Sequence, residues 1–589
     1  MIGILLNSIR EFKKPTLLTP LFVFFEALLE CFIPFITSRL IDNLQAGNIR
    51  EIYMIAPVLL VTAFLSLFFG FMGAKFGSLA STGFAKNLRQ DAFNNVQNYS
   101  FSNIDKFSSA SLVTRMTTDI TNIQMSFSLI IRIAVRVPLI MLFSVIMAFI
   151  QGGKLAWLFV VILPTTGTLL FFVIKKAMPL FDKVFPKYDA FNESIQENIS
   201  GIRVVKTYVR EDYEKKKFKE KNDAIKNEFM RAERFVALNS PILQFGIYCA
   251  MILVTSLGAY TIITTFKGFD ELTGNPIWGS LSTGKLQSLI TYGFQMLNQL
   301  NMLSFIFVMI TISVPAMKRV AEVISEKPDI TNPENPIYEI KDGSIEFKNV
   351  SFKYSESAER NALENINLTI NSGMTVGILG GTGSSKTTLV NLISRLYDVT
   401  DGELLVGGIN VKEYDLKSLR DTVSVVLQKN VLFSGTIKEN LLWGDINATD
   451  EEIEEACKLS CAYEFINTFK DKYDHHIEQG GTNVSGGQKQ RLCIARALLK
   501  KPKVLILDDS TSAVDMKTDA IIREGFKKFI PETTKIIIAQ RISSIEDADM
   551  IIVMDGGHID AIGTSSELLE TNAIYQEVYN IQNKKGGNE

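Results

Sequence analysis

Residues 375–388 read TVGILGGTGSSKTT, a β-branched and apolar run followed by a glycine-rich turn and a polar helix start. Such a turn aims backbone N–H groups, and the positive end of the next helix, at the oxygens of a di- or triphosphate. In that arrangement Gly381, Thr382, Gly383, Ser384 and Ser385 cradle the phosphates, Lys386 reaches the β and γ groups, and Thr387 ligates Mg²⁺ with Thr388 beside it. The usual G-x4-G-K-[ST] spacing is broken once: counting from Gly380, Ser385 stands where a glycine would precede the lysine. A second segment, KVLILDDSTSAVD at 503–515, is an apolar strand ending in Asp508, a carboxylate placed to steady the Mg²⁺ in a Walker B arrangement. Between them NVSGGQKQRLCIARALL at 483–499 is a Ser-Gly-Gly turn opening a long helix, whose N-terminus also suits an anion.

These segments need a parallel sheet with flanking helices. From about residue 344 the chain has that character, alternating short apolar strands with stretches rich in Gly, Asp and Lys. Before it, six windows (17–37, 55–76, 130–150, 154–174, 242–265 and 287–313) are apolar over the roughly 20 residues a helix needs to cross a membrane. An even number places both ends on one side. The intervening segments 77–126 and 175–240 hold many cations, among them Lys86, Arg89, Arg115, Lys175, Arg203 and Lys215, so they, both termini and the second half are expected in the cytoplasm. The connections 38–54, 151–153 and 266–286 would be external. Pro328, Pro333 and Pro336 rule out a continuous helix through 326–343. The expected organisation is an all-α transmembrane domain of six long helices over 1–325, a linker over 326–343 and an α/β P-loop NTPase domain over 344–589. Charge and apolar residues mix at helical spacing through 188–229, so the membrane helices are expected to run on into the cytosol.

The 61 Lys and Arg against 63 Asp and Glu leave a net charge of −2 and no basic footprint for nucleic acid. Five cysteines without a CxxC pair and three histidines argue against a disulfide framework, a zinc site and a HExxH hydrolase; the cysteines read as buried small residues. At the N-terminus the charges follow a short apolar stretch, with no small-residue cleavage site, so no cleaved signal peptide is expected. Glu26 and Glu30 lie four apart in the first window and share a helix face. Carboxylates at membrane depth face a cavity or a partner, which makes them candidate cargo contacts and, for at least one, a structural contact. Arg132 and Arg136 in the third window are read as snorkelling or pairing between helices.

Together these segments resemble the ATP-binding cassette transporters, specifically half-transporters of the exporter type. VSGGQ at 484–488 is similar to the family signature, so Ser485, Gly486, Gly487 and Gln488 are implied to complete an ATP site in trans. Gln428 in SVVLQKNVLFSGTIKENL resembles the Q-loop residue and is an implied Mg²⁺ contact. SAVD at 512–515 resembles the D-loop, and Tyr354 in FKNVSFKY the aromatic residue that stacks on adenine. SASLVTRMTTD at 109–119 and QENISGIRVVKTYVRE at 196–211 are similar to cytosolic segments forming coupling helices, here expected around 103–120 and 208–218.

Against this family's pattern three positions differ. The catalytic carboxylate after Asp508 is Asp509 instead of Glu, one methylene short, which draws it back by about 1.5 Å. Gln540 in IIIAQRISSI stands where the family has His and cannot carry charge or relay a proton. Ser385 costs on the order of 1–2 kcal/mol if its backbone is left-handed. All three fall on the half-site holding the triphosphate, while the signature is intact. The resemblance thus implies a multi-pass cell-membrane protein binding ATP and Mg²⁺: the degenerate-site subunit of a heterodimeric exporter that moves amphipathic compounds (drugs, lipids or peptides) by alternating access. The alternatives are a homodimer with two slow sites, an exporter-fold importer of metal chelates, and a nucleotide-gated regulatory subunit.

Overall fold

In the computed structural model, residues 1–268, 277–355, 358–510 and 514–585 are described. The chain divides into two units, Met1–Gln97 with Ser109–Glu326, and Asn98–Ser108 with Lys327–Glu589.

The first unit is helical because its apolar windows contain no water-satisfied alternative: in hydrocarbon every backbone N–H and C=O must be paired within the segment. Among the described residues five helical runs are long and apolar enough to cross a membrane: Ile2–Gln45, Ile49–Gln97, Ser109–Ser200, Glu211–Thr265 and Thr283–Ser325. The third holds two of the expected windows. It is broken at Gly153, whose φ of +50° ends the helix Ala134–Gly152 before the next begins at Trp157. Six crossing helices therefore lie in five runs. The helix Ile49–Gln97 has 49 residues, about 73 Å at ~1.5 Å per residue, more than twice a ~30 Å hydrocarbon core. Its outer face carries Leu60, Phe64, Leu67 and Phe71, each at least 60% exposed and so available to lipid.

Facing inward, small residues and short polar contacts join the first, third and last spans. The Tyr292 hydroxyl donates to the Cys31 carbonyl at 2.9 Å, Ser144 bonds Cys31 and Gln295, and Gln151 donates to Ser38. Asp42 accepts from the Ser282 hydroxyl at 2.6 Å and the Gly284 N–H at 2.9 Å. Further along, the Arg319 guanidinium grips the buried Asp119 carboxylate with two bonds of 2.6 and 2.7 Å. Apolar spans have no hydrophobic reason to associate within lipid, so these contacts and close packing at small residues hold them.

One expected element is displaced. Near 208–218 the short helix is instead Ile202–Thr207, the chain turns through Tyr208 and Val209 (φ +51°), and the long helix Glu211–Val236 starts at once. Three acidic residues, Glu211, Asp212 and Glu214, occupy its first turn and favour a start there.

In the second unit the strands are β1 (Ile345–Phe352), β2 (Leu363–Ile370), β3 (Thr375–Gly380), β4 (Asp401–Val406), β5 (Ile409–Asn410), β6 (Val423–Val426), β7 (Gly435–Thr436), β8 (His476–Ile477), β9 (Val504–Asp508), β10 (Thr534–Ile538), β11 (Met550–Asp555) and β12 (His558–Gly563). An antiparallel sheet runs β2-β1-β4-β5, and a larger one runs β12-β11-β3-β10-β9-β6, parallel except for β12 at its edge. β9 is buried along its whole length and reads as a continuous apolar run, as a strand covered on both faces must.

The packing at Gly284 gives a test. A Cβ there would lie 2.0 Å from the Ser38 carbonyl oxygen and 2.8 Å from the Asp42 carboxylate, whereas one at Gly3 meets nothing within 4 Å. Gly284→Ala is expected to destabilise the membrane unit by about 1–3 kcal/mol and lower its melting temperature in detergent, with Gly3→Ala unchanged.

Candidate functional site

Three neighbouring parallel strands build the site. β10 lies between β3 and β9, with Ile538 level with Ile378 on one side and Asp508 on the other. Their carboxyl ends therefore deliver the loop 381–385, the pair Asp508–Asp509 and the residue Gln540 to one edge of the sheet, where parallel α/β sheets bind their ligands.

The loop is held open by its own geometry. Gly383 has φ +85° and Ser385 sits at φ +69°, ψ +24°, so the left-handed turn falls on a residue with a side chain. Ser384 donates to the Gly381 carbonyl at 2.9 Å. The Lys386 ammonium folds over the turn, donating to the carbonyls of Gly380 and Gly381 at 2.9 and 2.7 Å and to the Ser384 hydroxyl at 3.2 Å. Burial lowers its pKa, with Asp508 and Asp509 pulling the other way. Thr388 is buried one position into the helix Lys386–Ile393, and Thr382 lies at the exposed tip of the turn.

The Thr387 hydroxyl donates to both oxygens of Asp508, at 2.9 and 3.1 Å. Asp508 is only 2% exposed. Burial, reinforced by Asp509 and opposed by the Thr387 bond and Lys386, raises its pKa above the ordinary carboxylate value. A hydroxyl and a carboxylate meeting beside a lysine are the oxygen donors that Mg²⁺ prefers, so the donor set fits that ion and a phosphate chain.

Asp509 stands at φ +49°, its N–H bonded to the Ile538 carbonyl at 3.1 Å, and its carboxylate accepts from the Gln540 amide at 3.0 Å. These two departures from the family pattern thus touch each other. Sequence reading missed a further residue here. From the helix Ala573–Lys585, Gln582 donates through its amide to the Gln540 carbonyl at 2.8 Å and accepts from the Ile542 N–H at 2.9 Å, clamping the backbone on which Gln540 rides. Forty residues of separation and an ordinary surface-type side chain left no signal for it.

Gln428 is exposed just beyond β6, next to β9 in the sheet. Tyr354 is 51% exposed, shares a 2.8 Å hydrogen bond with the Thr388 hydroxyl, and rests edge-on against Phe352 and Tyr397. Ser485 and Gln488 form a reciprocal cap on the helix Gly486–Leu499, leaving Ser485 and Gly486 exposed. Among the described contacts these signature residues bond to their own helix and not to the loop 381–385. Of the expected D-loop, Ser512 and Ala513 lie outside the described residues, Val514 is buried and Asp515 caps the helix Met516–Phe529. Away from this site, Glu26 and Glu30 both reach Arg136, at 3.4 and 2.6 Å, so the two carboxylates share one guanidinium between spans.

Two family models match, the ABC transporter transmembrane region over residues 16–272 and the ABC transporter domain over 363–512. The chain is 32% identical over 565 residues to YfiB of Bacillus subtilis, an uncharacterized ABC transporter ATP-binding protein, covering 96% of each. It is 30% identical over 583 residues to the uncharacterized ABC transporter ATP-binding protein MT1311 of Mycobacterium tuberculosis, covering 98% of this chain and 97% of that one. The structure of a bacterial Atm1-family ABC exporter with ATP bound superimposes with a TM-score of 0.80 over 97% of this chain and 99% of that one, at 22% identity. A membrane permease and an ATP-binding cassette in one chain define the class. The protein belongs to the ABC transporter family: it is a multi-pass half-transporter of exporter-type fold, whose kind works as dimers in a lipid bilayer.

Two substitutions probe this geometry. Ser385→Gly removes the left-handed penalty of ~1–2 kcal/mol at a cost of ~0.5–1 kcal/mol in chain entropy; a small net rise in melting temperature and tighter nucleotide binding are expected. Asp508 has a native pKa above its unfolded value, so its contribution to stability is favourable below the unfolded pKa of about 3.9 and is lost as pH rises through the native one. Asp508→Asn should therefore melt higher than the parent at pH 7.5, with the difference closing as the pH falls towards 4.

Proposed function

We propose that this chain is one subunit of a heterodimeric exporter, supplying a slow ATP site on its own Walker side and an intact signature to its partner. The observation that carries the reading is the Asp509–Gln540 contact. The position that would polarise an attacking water holds a shortened carboxylate tied to an amide that cannot accept or return a proton.

Lys386 and the loop amides would bind and orient the phosphates, Thr387 and Asp508 would hold the metal with Gln428, exposed beyond β6, as a further oxygen donor, and Tyr354 would offer its open face to the base. Mg²⁺ held there would supply neutralisation of the phosphate charge. Asp509 hydrogen-bonds to Gln540 and sits about 1.5 Å further from a water that Glu would reach, outside the 2.6–3.2 Å needed for general-base work; the loss is about 10²- to 10⁴-fold. The exposed Ser485–Gly486 turn, ahead of a helix N-terminus, is free to meet a nucleotide held by the partner. Undirected decay would have no reason to spare it. ATP-driven closure of the paired cassettes, passed to the spans through the cytosolic segments, moves amphipathic cargo out of the cytoplasm. Arg136 neutralises much of the Glu26–Glu30 pair, which makes the pair a contact between spans first and a cargo contact only where cargo displaces the guanidinium.

The test is ATPase activity and mass of the chain alone and with the half-transporter that co-purifies from its own membranes. A 1:1 complex is expected to hydrolyse ATP where the single chain barely does. In that complex Gly486→Asp should abolish most turnover, and Asp509→Glu with Gln540→His should raise it by adding a second competent site. A stable homodimer with substantial ATPase, or a complex indifferent to Gly486→Asp, would sink the reading.

A further inference from the structure

The residues behind Tyr354 lead to a segment outside the phosphate loop. Asn98–Ser108, the covalent link between the helix ending at Gln97 and the one starting at Ser109, belongs to the second unit. Its helix Phe101–Phe107 is capped by Ser100 and Asn103, and it is fastened to the start of the linker, where Ser102 donates to Asp329 at 2.6 Å and Asn103 to the Lys327 carbonyl at 3.2 Å. It also attaches to Tyr397. The Tyr397 hydroxyl donates to the Asp105 carboxylate at 2.7 Å, and the Phe101 ring lies 6.0 Å from the Tyr397 ring. Tyr397 in turn meets Tyr354 edge to face at 5.2 Å and 87°, and both pack on Phe352. Burial and the Asp105 carboxylate raise the Tyr397 pKa, so the hydroxyl remains a donor across physiological pH.

We infer that Tyr397 is a positioning residue through which a purine base stacked on Tyr354 is felt by the segment 98–108, so that this segment responds to the base of the nucleotide and not to its phosphates alone. The inference rests on the reading that Tyr354 stacks the base. The physical path is short. Tyr354 is held by one hydrogen bond to Thr388 and by two ring edges, with its remaining surface open. A base on that surface fixes the tilt of the ring, the tilt sets where the Tyr397 edge can sit, and the direction of the Tyr397 hydroxyl sets the strength of its charge-assisted bond to Asp105. A coupling of about fivefold, at the low end for linked sites, is what one such contact chain supports.

Hydrogen exchange on the full-length protein in lipid nanodiscs tests this without requiring hydrolysis. Saturating Mg·ADP is expected to slow exchange across 98–108 about fivefold, and Mg·pyrophosphate, which fills the loop without a base, by less than twofold. Tyr397→Phe keeps the ring and loses the donor. It should abolish the ADP response while ADP affinity falls by no more than the same fivefold, as reciprocity requires, and its melting temperature should stay near that of the parent. Asp105→Asn, which keeps an acceptor but not the charge, should give an intermediate response. A full ADP response in Tyr397→Phe, or an equal response to pyrophosphate, overturns the inference. Tyr354→Ala separates the two ideas: if it leaves ADP affinity unchanged, the base-stacking reading falls, whereas weakened ADP binding beside an intact response in Tyr397→Phe defeats the relay alone.

Discussion

The chemistry of this chain depends on β10 lying between β3 and β9. Parallel pairing in register places Ile378, Ile538 and Asp508 level, so three loops far apart in sequence open at one edge within a few ångströms of each other. The phosphate loop, the Asp508–Asp509 pair and Gln540 then need no further device to meet. Their backbones are bent to suit: Ser385 and Asp509 both adopt left-handed conformations that side chains resist. A sheet buried on both faces provides the stability that holds two such residues in place.

That arrangement explains what could be seen in the sequence. Lys386, Thr387 and Asp508 were legible because each motif is local: a β-branched strand, a turn and a helix start in one stretch, an apolar strand ending in acids in another. The six membrane windows were legible because hydrocarbon demands length and apolarity and little else. Other features depend on register and long-range packing. Nothing near Asp509 or Gln540 announces that their side chains bond, since that follows from the pairing of β9 with β10. Gln582 and Tyr397 act through contacts 42 and 292 residues distant, and neither residue type is distinctive. The short helix expected around 208–218 lies instead at Ile202–Thr207, because the turn at Val209 is made without glycine and nothing in the charged run from 211 onward marks a boundary.

In the membrane unit, polarity works where apolar burial cannot. Lipid tails solvate leucine as well as another helix does, so the specificity of packing falls to buried hydroxyls, amides and ion pairs. The contacts from Asp119–Arg319 through Arg136–Glu30 and Ser144–Cys31 to Asp42–Ser282 recur along the first, third and last spans. Each ties one register to one partner: sliding a helix by a turn would leave a carboxylate, guanidinium or hydroxyl without its partner. The same contacts that choose the register also resist its change.

The Asp509–Gln540 pair gives a physical account of how a site of low turnover, as proposed, can still be an ordered one. A glutamate and a histidine would form a charged, mobile couple able to exchange a proton with water. An aspartate and an amide form a neutral-donor bond of 3.0 Å whose polarity never reverses. Gln582 then holds the Gln540 backbone from behind with two bonds, so the loop has little freedom to follow the chemistry. As proposed, such a site would lose the proton relay that hydrolysis needs while keeping the lysine and the hydroxyl–carboxylate pair beside the loop for the phosphates. On the proposed reading, binding energy would thereby be retained while turnover falls. This is the division expected where nucleotide at one site serves to hold a dimer closed and nucleotide at the other serves to open it.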